Sequence, residues 1–241
     1  MILSIGSWIS ANWYWFVAFA LMVGAGFLVT RLQSVIRERA AQEMGILLRT
    51  NPASAAERLE NNWHLKLVFR KQVLLLWKLD AYMTLGQREK ALETIRKLDK
   101  TRLEPRDKLD FYQKRLSFFA TENNGDEARA SRDQLYNFLK KAEALKTEPY
   151  ATIMDEADLI IGIYIDHNTG LIKKLIGRAE HTKNDIMRGV TQYRVAKLAF
   201  FKEDWALMNT YLNRAGKNLK GTYYEPIIEQ AKENPEILRD K

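Results

Sequence analysis

Few side chains in this sequence could carry acid–base or metal chemistry. The chain has 241 residues, no cysteine and three histidines, His64, His167 and His181, which lie far apart and show no metal-ligand spacing. The lack of cysteine excludes disulfide bonds, thiolate metal sites and cysteine nucleophiles. Asp166 precedes His167, and an Asp–His pair could act as the general base of a hydrolase. A polar turn explains the same two residues without any catalysis.

Three acidic side chains fall close together on one predicted helix, where carboxylates could bind a divalent cation. They are Asp155, Glu156 and Asp158, and the first and last of them share a helix face. No further ligand follows at metal spacing, so a solvated helix surface explains them better. The sequence also lacks a glycine-rich phosphate loop, a nucleophile elbow and a zinc motif. We therefore predict a non-catalytic protein that uses no metal and no cofactor.

The strongest signal is an N-terminal segment without charged side chains. No Lys, Arg, Asp or Glu occurs in residues 1–30, and residues 8–30 form a run of 23 mostly apolar positions. About 20 helical residues are needed to cross a hydrocarbon core of about 30 Å. We predict a transmembrane helix over 8–30, preceded by a short extracytoplasmic N-terminus at 1–7. A buried core helix and a cleaved signal peptide are alternatives, although a basic n-region and a clear cleavage site are missing.

Aromatic residues cluster at the start of this segment, and arginines follow its end. Tryptophan and tyrosine rings prefer the membrane interface, and Lys and Arg stay on the cytoplasmic side. These patterns predict a single-pass protein of the bacterial inner membrane with its N-terminus outside and its C-terminal domain in the cytoplasm. The predicted interface anchors are Trp8, Trp13, Tyr14, Trp15 and Arg31.

The basic excess of the chain lies beside the predicted anchor. The net charge is +8, and residues 31–105 alone carry 15 Lys and Arg against 9 Asp and Glu. We interpret residues 31–64 as a juxtamembrane basic helical segment that is attracted to anionic lipid headgroups. A solvated basic face remains an alternative. Nucleic-acid binding is disfavoured because the basic residues are not interleaved with glycine or aromatics, as in common RNA-binding modules.

The rest of the chain has the periodicity of paired helices. Glycine (12) and proline (5) are scarce, which argues against an all-β fold. Apolar residues recur at helical spacing, and the β-branched run 159–165 has no partner strand, so we predict helix there too. The predicted helices span 31–49, 53–62, 65–85, 106–121, 126–145, 150–165, 171–181, 184–200, 205–219 and 225–233.

Residues 75–98 resemble a tetratricopeptide repeat. Tyr82 precedes Gly86 by four positions, Ala91 follows it by five and Ile95 by nine. In that family a glycine ends the first helix, and a small residue early in the second helix lets the two helices approach closely. Weaker copies of the pattern follow along the chain.

The resemblance implies an all-α fold, an irregular TPR-like α-α solenoid over 65–220, closed by a capping helix and tail at 221–241. Stacked helix pairs form an extended surface that binds a partner protein or peptide. We therefore expect a membrane-anchored scaffold or adaptor with no small-molecule substrate. The alternatives are a chaperone-like accessory of protein export or envelope assembly and a small structural subunit of a larger membrane complex. The residues expected to contact the partner, which we expect to be acidic, are Arg70, Lys71, Lys78, Arg194 and Lys197.

Overall fold

The computed structural model describes residues 2–143, 147–222 and 224–240, and within these ranges the chain forms helices and turns without any strand. This confirms the predicted all-α class. Side chains are described throughout these ranges except at 2–18, 20, 29, 33 and 240. The helices are α1 (Ile2–Thr50), α2 (Pro52–Asn61), α3 (Trp63–Val68), α4 (Lys71–Thr84), α5 (Arg88–Asp99), α6 (Pro105–Thr121), α7 (Gly125–Lys141), α8 (Tyr150–Tyr164), α9 (Ile172–His181), α10 (Asp185–Phe201), α11 (Trp205–Asn218), α12 (Tyr224–Glu233) and α13 (Ile237–Asp240).

One predicted helix is wrong, because the segment 65–85 is divided between α3 and α4. Phe69 and Arg70 have extended backbones, with φ/ψ of −112°/145° and −65°/149°. The break directs the ring of Phe69 into the core, where it meets Trp77 edge-on with 4.7 Å between ring centroids. The other predicted helices agree with the structure to within a few residues, and the predicted end at Leu145 lies outside the described residues.

The predicted membrane segment 8–30 falls within α1. Among the described residues, no helix combines the length and the apolar character that are needed to cross a membrane. Arg31 is exposed. The side chains of the other predicted interface anchors, Trp8, Trp13, Tyr14 and Trp15, lie outside the described part of the structure.

The chain divides into two compact units, Met1–Leu85 and Gly86–Lys241. In unit 1, helices α2, α3 and α4 pack against the C-terminal part of α1. Asn51 begins α2 by accepting a hydrogen bond from the Ser54 N–H at 3.0 Å, and Tyr82 ties α4 to α2 by donating to Glu60 at 2.7 Å. One buried apolar cluster of unit 1 contains Met44, Ala55, Leu59, Leu65, Phe69 and Leu74.

Unit 2 contains α5 to α13, and its most extensively buried helix is α10, which packs against α9 and α11. The close approach of α10 to α11 requires glycine at position 189. A Cβ at Gly189 would lie 2.6 Å from Leu219 Cγ and 2.9 Å from Asn218 Cβ. Any larger residue would therefore force the two helices apart.

Three turns of unit 2 share one construction. In each turn, a residue with left-handed φ precedes an Asn or Asp whose side-chain oxygen accepts a backbone N–H, which satisfies a donor at the start of a helix. Asn124 and Asp204 accept from α7 and α11, and Asn168 accepts from Gly170 in the short 3-10 turn that precedes α9. The left-handed residues are Asn123 (φ 53°), His167 (φ 48°) and Glu203 (φ 59°), and the capping residues are Asn124, Asn168 and Asp204.

Replacing Glu203 with glycine is expected to stabilise unit 2 by up to about 1 kcal/mol, because a side chain in the left-handed region is strained and glycine is not. Denaturant unfolding of the full chain measures the change. The matched control is Asn209→Gly at an exposed position inside α11, which should destabilise by roughly 0.3 kcal/mol because asparagine is itself a poor helix former. Equal destabilisation by both substitutions would contradict the left-handed turn at Glu203.

Candidate partner-binding surfaces

The structure divides the five predicted contact residues between the two units. Arg70 and Lys71 are exposed at the start of α4, whereas Lys78 is half-buried on the same helix. Arg194 and Lys197 lie on α10, the central helix of unit 2. Arg70 and Lys71 therefore present their charges to solvent, whereas the side chains of Arg194 and Lys197 are largely buried.

Lys197 is in the interior of unit 2, with 2% of its surface exposed. Its ammonium group donates a hydrogen bond to the Leu238 carbonyl of α13. It also lies 5.4 Å from the ring centroid of Tyr164 and 5.6 Å from that of Phe201, which are favourable cation–π positions. Lys197 thus attaches the C-terminal helix to α10, and it is not part of an open surface.

Arg194 is also directed inward, with 13% of its side chain exposed. Its Nη1 donates to Glu156 Oε1 at 2.6 Å, and Arg178 Nη1 lies 2.8 Å from Glu156 Oε2. Burial acts to lower the pKa of Arg194, but Tyr164 and the Glu156 carboxylate outweigh it, so the pKa is raised above the ordinary arginine value. Glu156 therefore joins α8, α9 and α10 through two guanidinium groups.

Two other carboxylates of α8 are also paired with basic side chains from neighbouring helices. Asp155 accepts from Lys174 of α9 at 2.5 Å, and Asp158 accepts from Arg132 of α7 at 2.8 Å. Within the described residues, no group of three or more His, Asp or Glu side chains converges in a way that could hold a metal ion. The acidic cluster seen in the sequence is used for helix packing.

Asp166 and His167 contact different groups. The Asp166 carboxylate accepts from Arg129 at 2.5 Å. The ring of His167 stacks on Phe201 with 3.7 Å between centroids, and its Nδ1 lies 3.2 Å from the Ile163 carbonyl oxygen. The structure thus does not bring the two side chains together as a general-base pair.

A surface on α3 combines exposed apolar and basic side chains. Trp63 and Leu67 are 59% and 74% exposed although both are large and apolar. They are four positions apart and so share one face of the helix. Lys66, Arg70 and Lys71 beside them are exposed as well. We call these five residues the α3 surface. Tryptophan and arginine side chains are enriched among the residues that dominate the binding energy of protein interfaces.

Of the α3 surface, the sequence predicted Arg70 and Lys71 as contact residues but not the apolar pair Trp63 and Leu67. The ring of Trp63 contacts the ring of His64, with 3.8 Å between centroids. The signal that could have found the surface is the four-residue spacing of Trp63 and Leu67 around Leu65, which is buried. In a helix of six residues that periodicity is too short to stand out.

Unit 2 also contains a cleft between α5 and the α6–α7 hairpin, which the sequence did not predict. It has two adjoining parts of about 490 and 310 Å³ that share Asp99, and we call it the Asp99 cleft. The larger part is bounded by Thr101, Arg102 and Lys108 among others. The smaller part is lined by four apolar side chains and seven polar or charged ones. The apolar ones are Leu92, Ile95, Phe118 and Phe119, and the others are Arg88, Arg96, Asp99, Arg115, Glu122, Asn124 and Glu127.

Between the two parts of the Asp99 cleft stands a wall formed by Asp99, Glu127 and Gln134, and Arg115 is hydrogen-bonded to all three. It donates to Asp99 Oδ1 at 3.1 Å, Glu127 Oε2 at 2.8 Å and Gln134 Oε1 at 3.1 Å. Burial raises the pKa of Asp99; Arg115 opposes this effect, and the Glu127 carboxylate adds to it. The wall is therefore a crowded network in which two carboxylates compete for one guanidinium group.

Comparisons of the chain with protein family models, with curated proteins and with solved structures find no match. The function is therefore inferred from the contacts, burial and charges of the described residues.

The stability of unit 2 is expected to depend on the protonation of His167. Burial lowers the pKa of His167 from its usual value of 6.5, with help from Lys197 and Arg239, and against Asp166 and the Ile163 carbonyl. Folding therefore favours the neutral ring. The stabilisation is complete above pH 6.5 and is lost as the pH falls through the lower folded-state pKa.

A His167→Asn variant should lose the part of the fall in the free energy of unfolding at acidic pH that comes from His167. Asparagine is chosen because it tolerates the left-handed φ of this position. The measurement is the free energy of unfolding of both proteins at several pH values between neutral and acidic. The difference between wild type and variant should shrink or change sign toward low pH. A difference that does not vary with pH would contradict the predicted coupling.

Proposed function

We propose that this chain is a membrane-anchored, non-catalytic adaptor that binds a partner protein on its helical units. The observation that best supports the anchor is the uncovered apolar surface of α1. Within the described side chains of residues 19–30, six large apolar ones are each between 55% and 71% exposed, and they are Phe19, Leu21, Met22, Val23, Phe27 and Leu28.

These six positions are distributed around the whole circumference of α1, since a helix turns once in about 3.6 residues. A helix that is apolar on all sides needs a buried or lipid environment. No other element of the chain provides that cover for these described side chains. Lipid around residues 8–30 would supply it, in agreement with the charge-free sequence of that segment.

The direction of insertion that we propose follows from the charges after the apolar segment. Arg31, Arg37, Arg39 and Arg49 are exposed on α1, which favours the cytoplasmic side for this end of the helix. Residues 31–50 continue as helix and extend about 30 Å at about 1.5 Å per residue. Helices α2, α3 and α4 pack on the C-terminal part of this extension. This arrangement would leave the α3 surface open to a partner.

Helix pairing within unit 2 supports a TPR-like interaction domain. The pairs α6–α7 and α10–α11 are each joined by a short turn that contains a left-handed residue and a capping residue. Repeated pairs of this kind present successive helices to a partner. We propose that unit 2 is an irregular solenoid of this type, and that α12 and α13 close its C-terminal end.

The same uncovered surface of α1 supports a second candidate function. A helix that is apolar on all sides could pack against the spans of other subunits instead of lipid alone. The chain would then be a small structural subunit of a larger membrane complex. An accessory of protein export or envelope assembly requires the opposite orientation of the C-terminal domain, so a topology measurement separates it from the adaptor.

The anchor and its orientation can be tested with single cysteines, because the natural chain has none. With the N-terminus outside, a membrane-impermeant maleimide added to intact cells should label Ser4→Cys and leave Lys217→Cys unlabelled. Deletion of residues 1–30 should release the protein from membranes washed with carbonate. Labelling of Lys217→Cys alone would reverse the orientation, and carbonate release of the full chain would contradict the anchor.

The adaptor function predicts a partner that needs the α3 surface. Truncating interface anchors of this type costs about 2 kcal/mol or more, which is about thirtyfold in affinity. A Trp63→Ser, Leu67→Ser double variant should therefore lose the protein that is reproducibly cross-linked to the wild type in cells and identified by mass spectrometry. The matched control is Ile186→Ser with Met187→Ser, which truncates two exposed apolar side chains of unit 2. Equal recovery with both variants would contradict this role of the α3 surface.

A further inference from the structure

The Asp99 cleft has the combination of shape and charge that suits a peptide ligand. Its smaller part has buried apolar side chains, including Ile95, Phe118 and Phe119, and is also lined by the ion pairs Arg88–Glu122 and Arg115–Glu127. A concave apolar floor of this kind accepts a large apolar side chain and removes it from water. The volume of about 310 Å³ is at the lower end of the range for ligand pockets.

The larger part of the Asp99 cleft offers hydrogen-bond donors and positive charge. Arg102, Lys108, Thr101 and Tyr112 line it. The ammonium group of Lys108 lies 5.7 Å from the ring centroid of Tyr112 and 5.8 Å from that of Phe138, which fixes its position at the rim. A carboxylate entering this part would meet two cationic side chains together with the Tyr112 hydroxyl, whereas the Thr101 hydroxyl already donates to the Lys97 carbonyl.

The chain around the cleft adds to the positive potential. Residues 96–108 contain six Lys and Arg against three Asp and Glu. Among the acidic groups, Asp99 is already engaged by Arg115. Several neighbouring charges of one sign attract an oppositely charged ligand, and the effect weakens as salt screens it.

We propose that the Asp99 cleft binds an acidic peptide segment of a partner protein. An acidic side chain of the segment occupies the larger part beside Arg102 and Lys108. A large apolar side chain two positions along, which shares a face of the extended segment with it, occupies the smaller part over Phe118 and Phe119. This inference deepens the proposed adaptor function and rests on it. It assigns to unit 2 a binding site separate from the α3 surface of unit 1.

A peptide fits these features better than a lipid headgroup does. The apolar part of the cleft is a recess lined by Phe118 and Phe119, both of which are buried. A membrane surface cannot enter such a recess, whereas an extended peptide can insert single side chains into both parts. The carboxylates of Asp99 and Glu127 are both paired with Arg115, so these two negative charges are already engaged when an acidic peptide approaches.

The test uses the purified full chain in nanodiscs of neutral lipid and a short fluorescein-labelled peptide in which two glutamates alternate with two phenylalanines, so that a glutamate and a phenylalanine two positions apart share one face. Fluorescence anisotropy measures its dissociation constant. We expect saturable binding that weakens with added salt. An analogue with glutamine for glutamate, and another with serine for phenylalanine, should each bind at least about tenfold more weakly, because each loses one of the two contacts.

The variants place the binding in the Asp99 cleft. Arg102→Glu combined with Lys108→Glu should weaken binding at least about tenfold, and the single variant Arg102→Glu, at an exposed position, should weaken it without disturbing the fold. The matched control reverses two exposed lysines elsewhere in unit 2, Lys173→Glu with Lys202→Glu. Circular dichroism on heating confirms that each variant is folded.

Three outcomes would overturn the proposal. One is equal loss of binding in the cleft and control variants, which means non-specific attraction to a basic protein. Another is undiminished binding in the cleft variants. The third is displacement of the peptide by phosphatidylserine vesicles together with direct vesicle binding that the cleft variants lose, which assigns the cleft to anionic lipid. Membrane attachment and cross-linking through Trp63 and Leu67 do not depend on these results, so failure here is distinguishable from failure of the adaptor function.

Discussion

The central physical constraint on this protein is that one long helix has to satisfy two different environments. The N-terminal part of α1 carries apolar side chains on all sides, and nothing in the described chain covers them. Its C-terminal part supplies Met44 to the core of unit 1, against α2, α3 and α4. Because α1 is one continuous helix to Thr50, the environment of its apolar part also determines where the rest of unit 1 lies. Lipid is the environment that fits the charge-free sequence, and the proposed function rests on that inference.

Charged side chains in unit 2 are of two kinds: buried ones that join helices, and ones at the edge of a cleft. Arg194 and Lys197 are buried and hold α8, α9 and α13 against α10 through Glu156 and the Leu238 carbonyl. Buried charges of this kind require partners, because an unpaired charge in the interior is strongly destabilising. Arg102 and Lys108, in contrast, stand at the edge of a cleft with an apolar floor. Only charges of the second kind are positioned to attract a ligand.

The sequence predicted the helices well and the binding surfaces poorly. Turn chemistry is local, so residues such as Asn124 and Asp204 marked helix starts without tertiary information. The break at Phe69 was missed because the ring is directed into a core formed by distant residues. Arg194 and Lys197 were taken for contact residues because periodicity does not tell which side of a helix faces a neighbour. The Asp99 cleft is a gap between α5 and a hairpin, and a gap between elements leaves no pattern in the sequence.

The central claim, that lipid surrounds the apolar part of α1, is most directly tested by spin-label accessibility in bilayers. Single cysteines placed in turn along residues 19–30 of the cysteine-free chain would carry the label. The account predicts high accessibility to oxygen and low accessibility to a water-soluble nickel complex at every position, without a helical period. High accessibility to the nickel complex along the segment would contradict the claim. A clear period of about 3.6 residues would also contradict it, because one face of α1 would then be covered by protein.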